Sequence, residues 1–140
     1  LGRVITVRAG GDVAILSTGG LLANVVAAAD ALAGQGIGAR VLSVHTLKPL
    51  DREAVVDAAR TGAMVVVEEH SGHGGLGAEV ARTLLEAGVS TRFRHLHLPA
   101  DFFPVVGGQD FLRGLAGLAV ADIVREARTL LEDGPQPASR

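Results

Sequence analysis

The chain has no cysteine, no tryptophan and no tyrosine, and a single methionine. Without cysteine there can be no disulfide and no thiolate-ligated metal, and the composition fits a reducing compartment. The only aromatics are Phe93, Phe102, Phe103 and Phe111. They are not interleaved with a basic run, so no base-stacking platform is present. A formal net charge of −2 over 140 residues supplies no field for a polyanion, and nucleic acid is not an expected partner. No apolar run approaches the roughly 18 residues of a membrane span, and no signal peptide is recognisable. These absences lead to the expectation of a cytoplasmic protein that does not enter a membrane. Internal repeats and low-complexity segments are also missing.

What is present describes a packed domain. With 48% hydrophobic and 20% charged residues, a chain of this length buries about 68–70% of the surface its unfolded form exposes. The first residues, Leu1-Gly2-Arg3, carry no methionine, which suggests a piece of a longer or processed product. Val4 to Val7 reads as a short strand and Val13 to Leu16 as an all-apolar one. A helix is expected over Leu21 to Leu32, ended by Gly34, Gly36 and Gly38 where left-handed backbone is needed. Arg40 to Val44 is the next strand. In "HTLKPLDREAVVDAARTG", Asp51 is placed to accept from free backbone N–H groups as an N-cap, Leu50 to pack on Val55 as a hydrophobic staple, and Gly62 to close the helix. Met64 to Val67 is a strand, Leu76 to Ala87 a helix, Phe93 to Leu98 a strand stopped by Pro99, and Val120 to Glu132 a last helix. The domain is expected to span 1–132, with a disordered tail over 133–140. Strands alternating with helices, several of them apolar on both faces, predict a mostly parallel sheet covered on both sides. Ligands of such sheets meet the carboxyl ends of the strands, which here carry Gly19-Gly20, His45 to Lys48 and Glu69 to Gly75.

"VVVEEHSGHGGLGAEVARTLLE" contains Gly72-His73-Gly74-Gly75-Leu76-Gly77, a literal G-x-G-x-x-G between a strand and a helix. A dinucleotide fingerprint of that form holds a pyrophosphate on a helix N-terminus. The context argues against it. The motif lies in the third strand-helix unit, His70-Ser71 separate it from the strand, and Glu68 and Glu69 would repel phosphate. Asp101 lies only roughly where an acidic residue is expected. Glycine-rich punctuation between strand and helix is the commoner reason for such a pattern.

Taken together, Lys48-Pro49-Leu50-Asp51, Glu68-Glu69-His70 and Gly74-Gly75-Leu76-Gly77, in that order, resemble the C-terminal domain of transketolase-type thiamine-diphosphate-dependent enzymes, over about Gly11 to Leu131. Gly107-Gly108-Gln109 stands where that family often has a Gly-Ser turn. The resemblance implies a three-layer α/β/α sandwich on a five-stranded, mostly parallel sheet with its first strand antiparallel. It also implies that thiamine diphosphate and a divalent metal, Mg or Ca, are bound by upstream pyrimidine-binding and diphosphate-binding domains absent from this chain. Those domains would sit on the same or a second chain, in a homodimer or heterotetramer that moves a two-carbon ketol unit between sugar phosphates. This domain would then serve assembly, and a regulatory role has been suggested for it. Beta subunits of 2-oxo acid dehydrogenases and deoxyxylulose-phosphate synthases share much of the pattern. A free-standing nucleotide- or anion-binding regulatory module is the alternative from another class.

No residue of this chain is expected to be catalytic, to bind the cofactor or to ligate metal. The candidates for an interface or ligand loop are His45, Lys48, His70, His73, Gly74 and Gly75, with Asp51 as a structural cap. His70 with His73, and His95 with His97, have the look of zinc pairs, but no third ligand has evident spacing. Phe102-Phe103-Pro104 offers a docking patch or a lid on the core. Ser17-Thr18-Gly19-Gly20 lacks the G-x-S-x-G of a nucleophile elbow.

Overall fold

The computed structural model describes residues 2–101 and 107–133. In chain order the elements are β1 (Ile5–Arg8), β2 (Val13–Ser17), α1 (Leu22–Ala33), β3 (Ala39–Ser43), α2 (Arg52–Ala59), β4 (Ala63–Ser71), α3 (Leu76–Ala87), β5 (Arg92–Leu98), α4 (Gln109–Leu115) and α5 (Val120–Glu132). Every residue of β2 is buried, as are Ala63 to Glu68 of β4. Strands apolar on both faces need cover on both sides. They lie side by side in the middle of one sheet, ordered β1-β3-β2-β4-β5. All neighbours are parallel except β1, which runs antiparallel to β3 and leaves Ile5 and Val7 exposed at the edge.

Alternation along the strands sorts the core into two layers. Val13, Ile15, Val65 and Val67 pack with α1 and α5, through residues such as Val25, Leu32, Ile123 and Leu130. Ala14, Leu16, Met64 and Val66 pack on the opposite face with Val55, Leu76 and Val80 of α2 and α3. This is the three-layer sandwich that the alternation of elements and the family resemblance implied. The connection β2-α1-β3 steps one way across the sheet, and β4-α3-β5 steps the other. Right-handed crossovers then place α1 and α3 on opposite faces, and the carboxyl ends of β2 and β4 flank the point where the direction reverses.

Three details differ from the sequence expectation. Of the glycines after α1, only Gly36 has a left-handed backbone (φ 79), because Gly34 continues the helical geometry at φ −62. β4 extends to Ser71, past the apolar run that ended the expected strand at Val67. Residues 109–115 form the short helix α4, which lacks a long apolar period of its own. Phe102, Phe103 and Pro104, and positions 134–140 of the expected tail, lie outside the described residues.

Asp51 begins α2 by accepting the N–H of Ala54 at 3.2 Å, and its other oxygen accepts the N–H of Val4 at 3.0 Å. Leu50, just before it, packs on the cluster that contains Val55. One carboxylate therefore caps a helix and ties the lead-in to β1 against it. Asp51→Ala is expected to cost about 1–2 kcal/mol in urea unfolding, with Asp51→Asn milder because it keeps an acceptor. A loss within error of zero would mean that neither bond contributes.

Candidate functional site

The end of β4 brings a glutamate into the interior. Glu68 is 2% exposed and follows five apolar residues on a central strand. Because β4 and β5 pair in register, Val66 opposite His95, residues 64, 66 and 68 share a face with 93, 95 and 97. That face also receives the first turn of α3. An isolated carboxylate would be costly here, but Glu68 accepts the N–H of Leu76 at 3.2 Å on Oε1 and the N–H of Gly77 at 2.5 Å on Oε2. His95 Nε2 lies 2.9 Å from Oε2. Burial works to raise the carboxyl pKa, yet the His95 hydrogen bond, the N–H groups of Gly77 and Leu76 and the His95 charge together hold it below the ordinary glutamate value. Glu68 is therefore ionised at neutral pH, and the imidazole donates.

This arrangement explains the glycine motif. Gly75 cannot carry a side chain because a Cβ there would collide with Glu68 Oε1, and a Cβ at Gly77 would collide with the ring of His95. Gly74 holds the left-handed turn at φ 72. The helix N-terminus that a dinucleotide fingerprint reserves for pyrophosphate holds the chain's own carboxylate.

The remaining candidates separate into distinct places. A cleft of about 310 Å³ between the ends of β2 and β4 is lined by Gly19, Gly20, Glu68, Glu69, His70, Gly74 and Gly75, among others. It lies at the topological switch point. His70 is exposed, with Nδ1 2.9 Å from the Ser71 carbonyl and 3.8 Å from Glu68. Lys48 lies instead in a separate depression with Pro49, Arg52, Glu79 and Arg82. His45 and His73 are exposed and line neither. The two zinc-like pairs have other roles: His97 Nδ1 donates to the Leu98 carbonyl at 2.8 Å, His95 serves Glu68, and their rings lie 4.5 Å apart. Among the described residues no three His, Asp or Glu side chains are grouped to hold a metal.

Sequence reasoning missed two residues. Glu68 was read as a repellent beside the loop, although an acid directly after an all-apolar run and eight residues before a helix is a signal for an internal cap. Arg113 gave no local signal. It reaches from α4 to the Glu69 carboxylate and, at 3.2 Å, to the Gly20 carbonyl.

The residues present do not fit thiamine diphosphate or its metal. The helix start suited to a diphosphate is filled by Glu68, the cleft beside it is lined by two glutamates, and among the described residues no metal-ligand cluster accompanies them. The arrangement can fix loops and present a surface.

Fold and site define an open α/β domain whose switch-point cleft is walled by its own carboxylates, one of which fills the helix N-terminus beside it. The family model for "Transketolase, C-terminal domain" matches residues 2–123, and the chain belongs to that family. It is 46% identical over 133 residues to a 6-deoxy-6-sulfo-D-fructose transketolase subunit, SqwH, of Clostridium sp. strain MSTE9, covering 94% of this chain and 41% of that one. A 1-deoxy-D-xylulose-5-phosphate synthase of Thermomicrobium roseum is 40% identical over 131 residues, covering 93% of this chain and 20% of its own length. Among solved structures, a split gene transketolase described as an inactive beta4 tetramer superposes with a TM-score of 0.81 at 36% identity, covering 94% of this chain and 42% of that one. Transketolase from Leishmania mexicana shares the fold, with a TM-score of 0.71 at 20% identity, covering 99% of this chain and 19% of that one. The chain thus spans between about a fifth and two fifths of the length of these relatives. No helix among the described residues is long and apolar enough to cross a membrane.

Two predictions follow the carboxylate. The stability Glu68 contributes is complete above the ordinary glutamate pKa of about 4.3 and is lost as pH falls through the depressed folded value. Glu68→Gln points an amide donor at backbone N–H groups and is expected to cost about 2–3 kcal/mol at pH 7, with a flatter dependence of stability on pH in the acid range. Equal acid slopes for the variant and the parent chain would place the titration elsewhere. Gly77→Ala is expected to destabilise strongly through His95, and His95→Ala in the same chain to recover part of the loss. Strict additivity in that double-mutant cycle would show that the two do not touch.

Proposed function

We propose that this chain is the C-terminal assembly domain of a thiamine-diphosphate-dependent transketolase that moves a two-carbon ketol unit between sugar phosphates, and that it supplies structure to that reaction but no catalytic group. The observation that carries the reading is the self-filled N-terminus of α3: the most anion-ready element of the fold is committed to Glu68. Family membership and the 46% identity to a transketolase subunit support it. Cofactor, divalent metal and activating glutamate then belong to pyrimidine-binding and diphosphate-binding domains on the same or a second chain. The split arrangement is favoured by two relatives, a transketolase described as a subunit and a split gene transketolase. In that arrangement the carboxyl ends of the strands face the pyrimidine-binding domain, and the full enzyme is a homodimer or heterotetramer in the cytoplasm. His45, Lys48, His70 and His73 belong to that interface as surface residues.

A second reading, a 1-deoxy-D-xylulose-5-phosphate synthase domain, has its own support in the 40% identity to the Thermomicrobium enzyme. The assembled enzyme separates the two by product: ketol transfer between sugar phosphates for the first, 1-deoxy-D-xylulose 5-phosphate for the second. For the isolated chain, titration calorimetry with thiamine diphosphate and Mg is expected to give no binding heat, and NADH fluorescence no saturable change. A micromolar isotherm with the cofactor would overturn the assembly reading. Saturable NADH binding would restore the nucleotide module.

A further inference from the structure

We propose that Arg113 is a positioning residue whose guanidinium latches α4 and the Gly19–Gly20 turn to the end of β4, and so sets the shape of the surface on which the cofactor-binding part of the enzyme docks. The identity of the docking partner rests on the proposed function, whereas the latch rests on geometry alone. α4 has seven residues, too few to be stable as an isolated helix. Its arginine side chain is 10% exposed and lines a small depression with Leu98, Leu112 and Leu118 together with Glu69 and Gln109. Nε donates to the Glu69 carboxylate, Nη2 to the Gly20 carbonyl at 3.2 Å, and Nη1 lies 3.6 Å from Asp110 on the same helix. Three segments far apart in sequence thus converge on one planar fork, which a lysine ammonium cannot reproduce. Gly20 is matched to it, since a Cβ there would lie 3.1 Å from Nη2.

The contacts act together. At 10% exposure water reaches the guanidinium poorly, so a cation that loses one acceptor is left less well compensated, and releasing Gly20 or Glu69 weakens the hold on α4 as a whole. On the opposite side of α4, Phe111 and Leu115 stand one turn apart and are each 57% exposed. The fork fixes where that apolar pair points relative to the cleft at the ends of β2 and β4. The pair fits the remainder of the enzyme, which in the relatives at 41% and 42% coverage makes up more than half of the chain.

The test uses the full-length enzyme and hydrogen exchange resolved by peptide. With Arg113→Ala, exchange over 19–22 and over 109–116 is expected to quicken by about tenfold or more, with α3 unchanged. Half-maximal activity is expected to move to higher enzyme concentration, while kcat at full assembly stays the same. Arg113→Lys should fall between the two, because it keeps the charge but not the fork. Unchanged exchange at 19–22, or a uniform increase that includes α3, would overturn the latch. Equal exchange of these segments in the parent enzyme, assembled and separated, would overturn the docking reading alone, because the latch is measured by variant against parent.

Discussion

An ionised carboxylate inside a low-dielectric core needs donors on every side, and much of this domain is arranged to supply them to Glu68. Its partners come from two directions: the backbone of the first turn of α3 and the imidazole of a residue on β5. The charge can remain buried only if β4, β5 and α3 keep their relative positions. The same requirement removes side chains at Gly75 and Gly77, where a Cβ would invade the space of Glu68 or His95. A feature that looks like a nucleotide fingerprint is, in physical terms, the space needed around an internal anion.

The carboxyl edge of the sheet is the place where such a fold normally admits a ligand. Here it is stitched by charged groups instead. Glu68 fills the N-terminus of α3, and the neighbouring Glu69, on the alternate side of the strand, binds the Arg113 guanidinium, which also caps the Gly20 carbonyl. Consecutive acids at the end of one strand thus face opposite ways, one toward the α3 layer and one toward α4. The Arg113 guanidinium stays charged: its pKa is raised chiefly by the Glu69 hydrogen bond, against the opposing effect of burial. A cleft braced in this way suits a surface that must keep its shape while another domain sits on it.

How much of this was legible in the sequence depended on whether the cause was local. β2 and the α3 helix could be read from apolar runs and periodicity, because burial on two faces or on one stripe leaves its mark in consecutive residues. The family could be read from three spaced motifs, and membership is now shown over residues 2–123. The extension of β4 through Ser71 could not be read, because its last residues are polar and stay in the strand only through pairing with β5, down to Ser71 opposite Leu98. α4 was invisible for the same kind of reason: its anchor, Arg113, bonds to residues 44 and 93 positions away. Glu68 was visible as a residue but not as a partner, since His95 is 27 positions distant and becomes its neighbour only by register.

The two acids also illustrate why exposure alone misjudges a site. Three of the exposed candidates, His45, Lys48 and His73, stand apart from the cleft at the switch point. The residues that shape the cleft are those whose loss would strand a charge or an N–H group. Surface lysines and histidines can change at little cost, whereas a carboxylate shared by two N–H groups and an imidazole cannot. A domain that contributes shape to a larger assembly would be expected to concentrate its energetic constraints there, beneath the contact surface instead of on it.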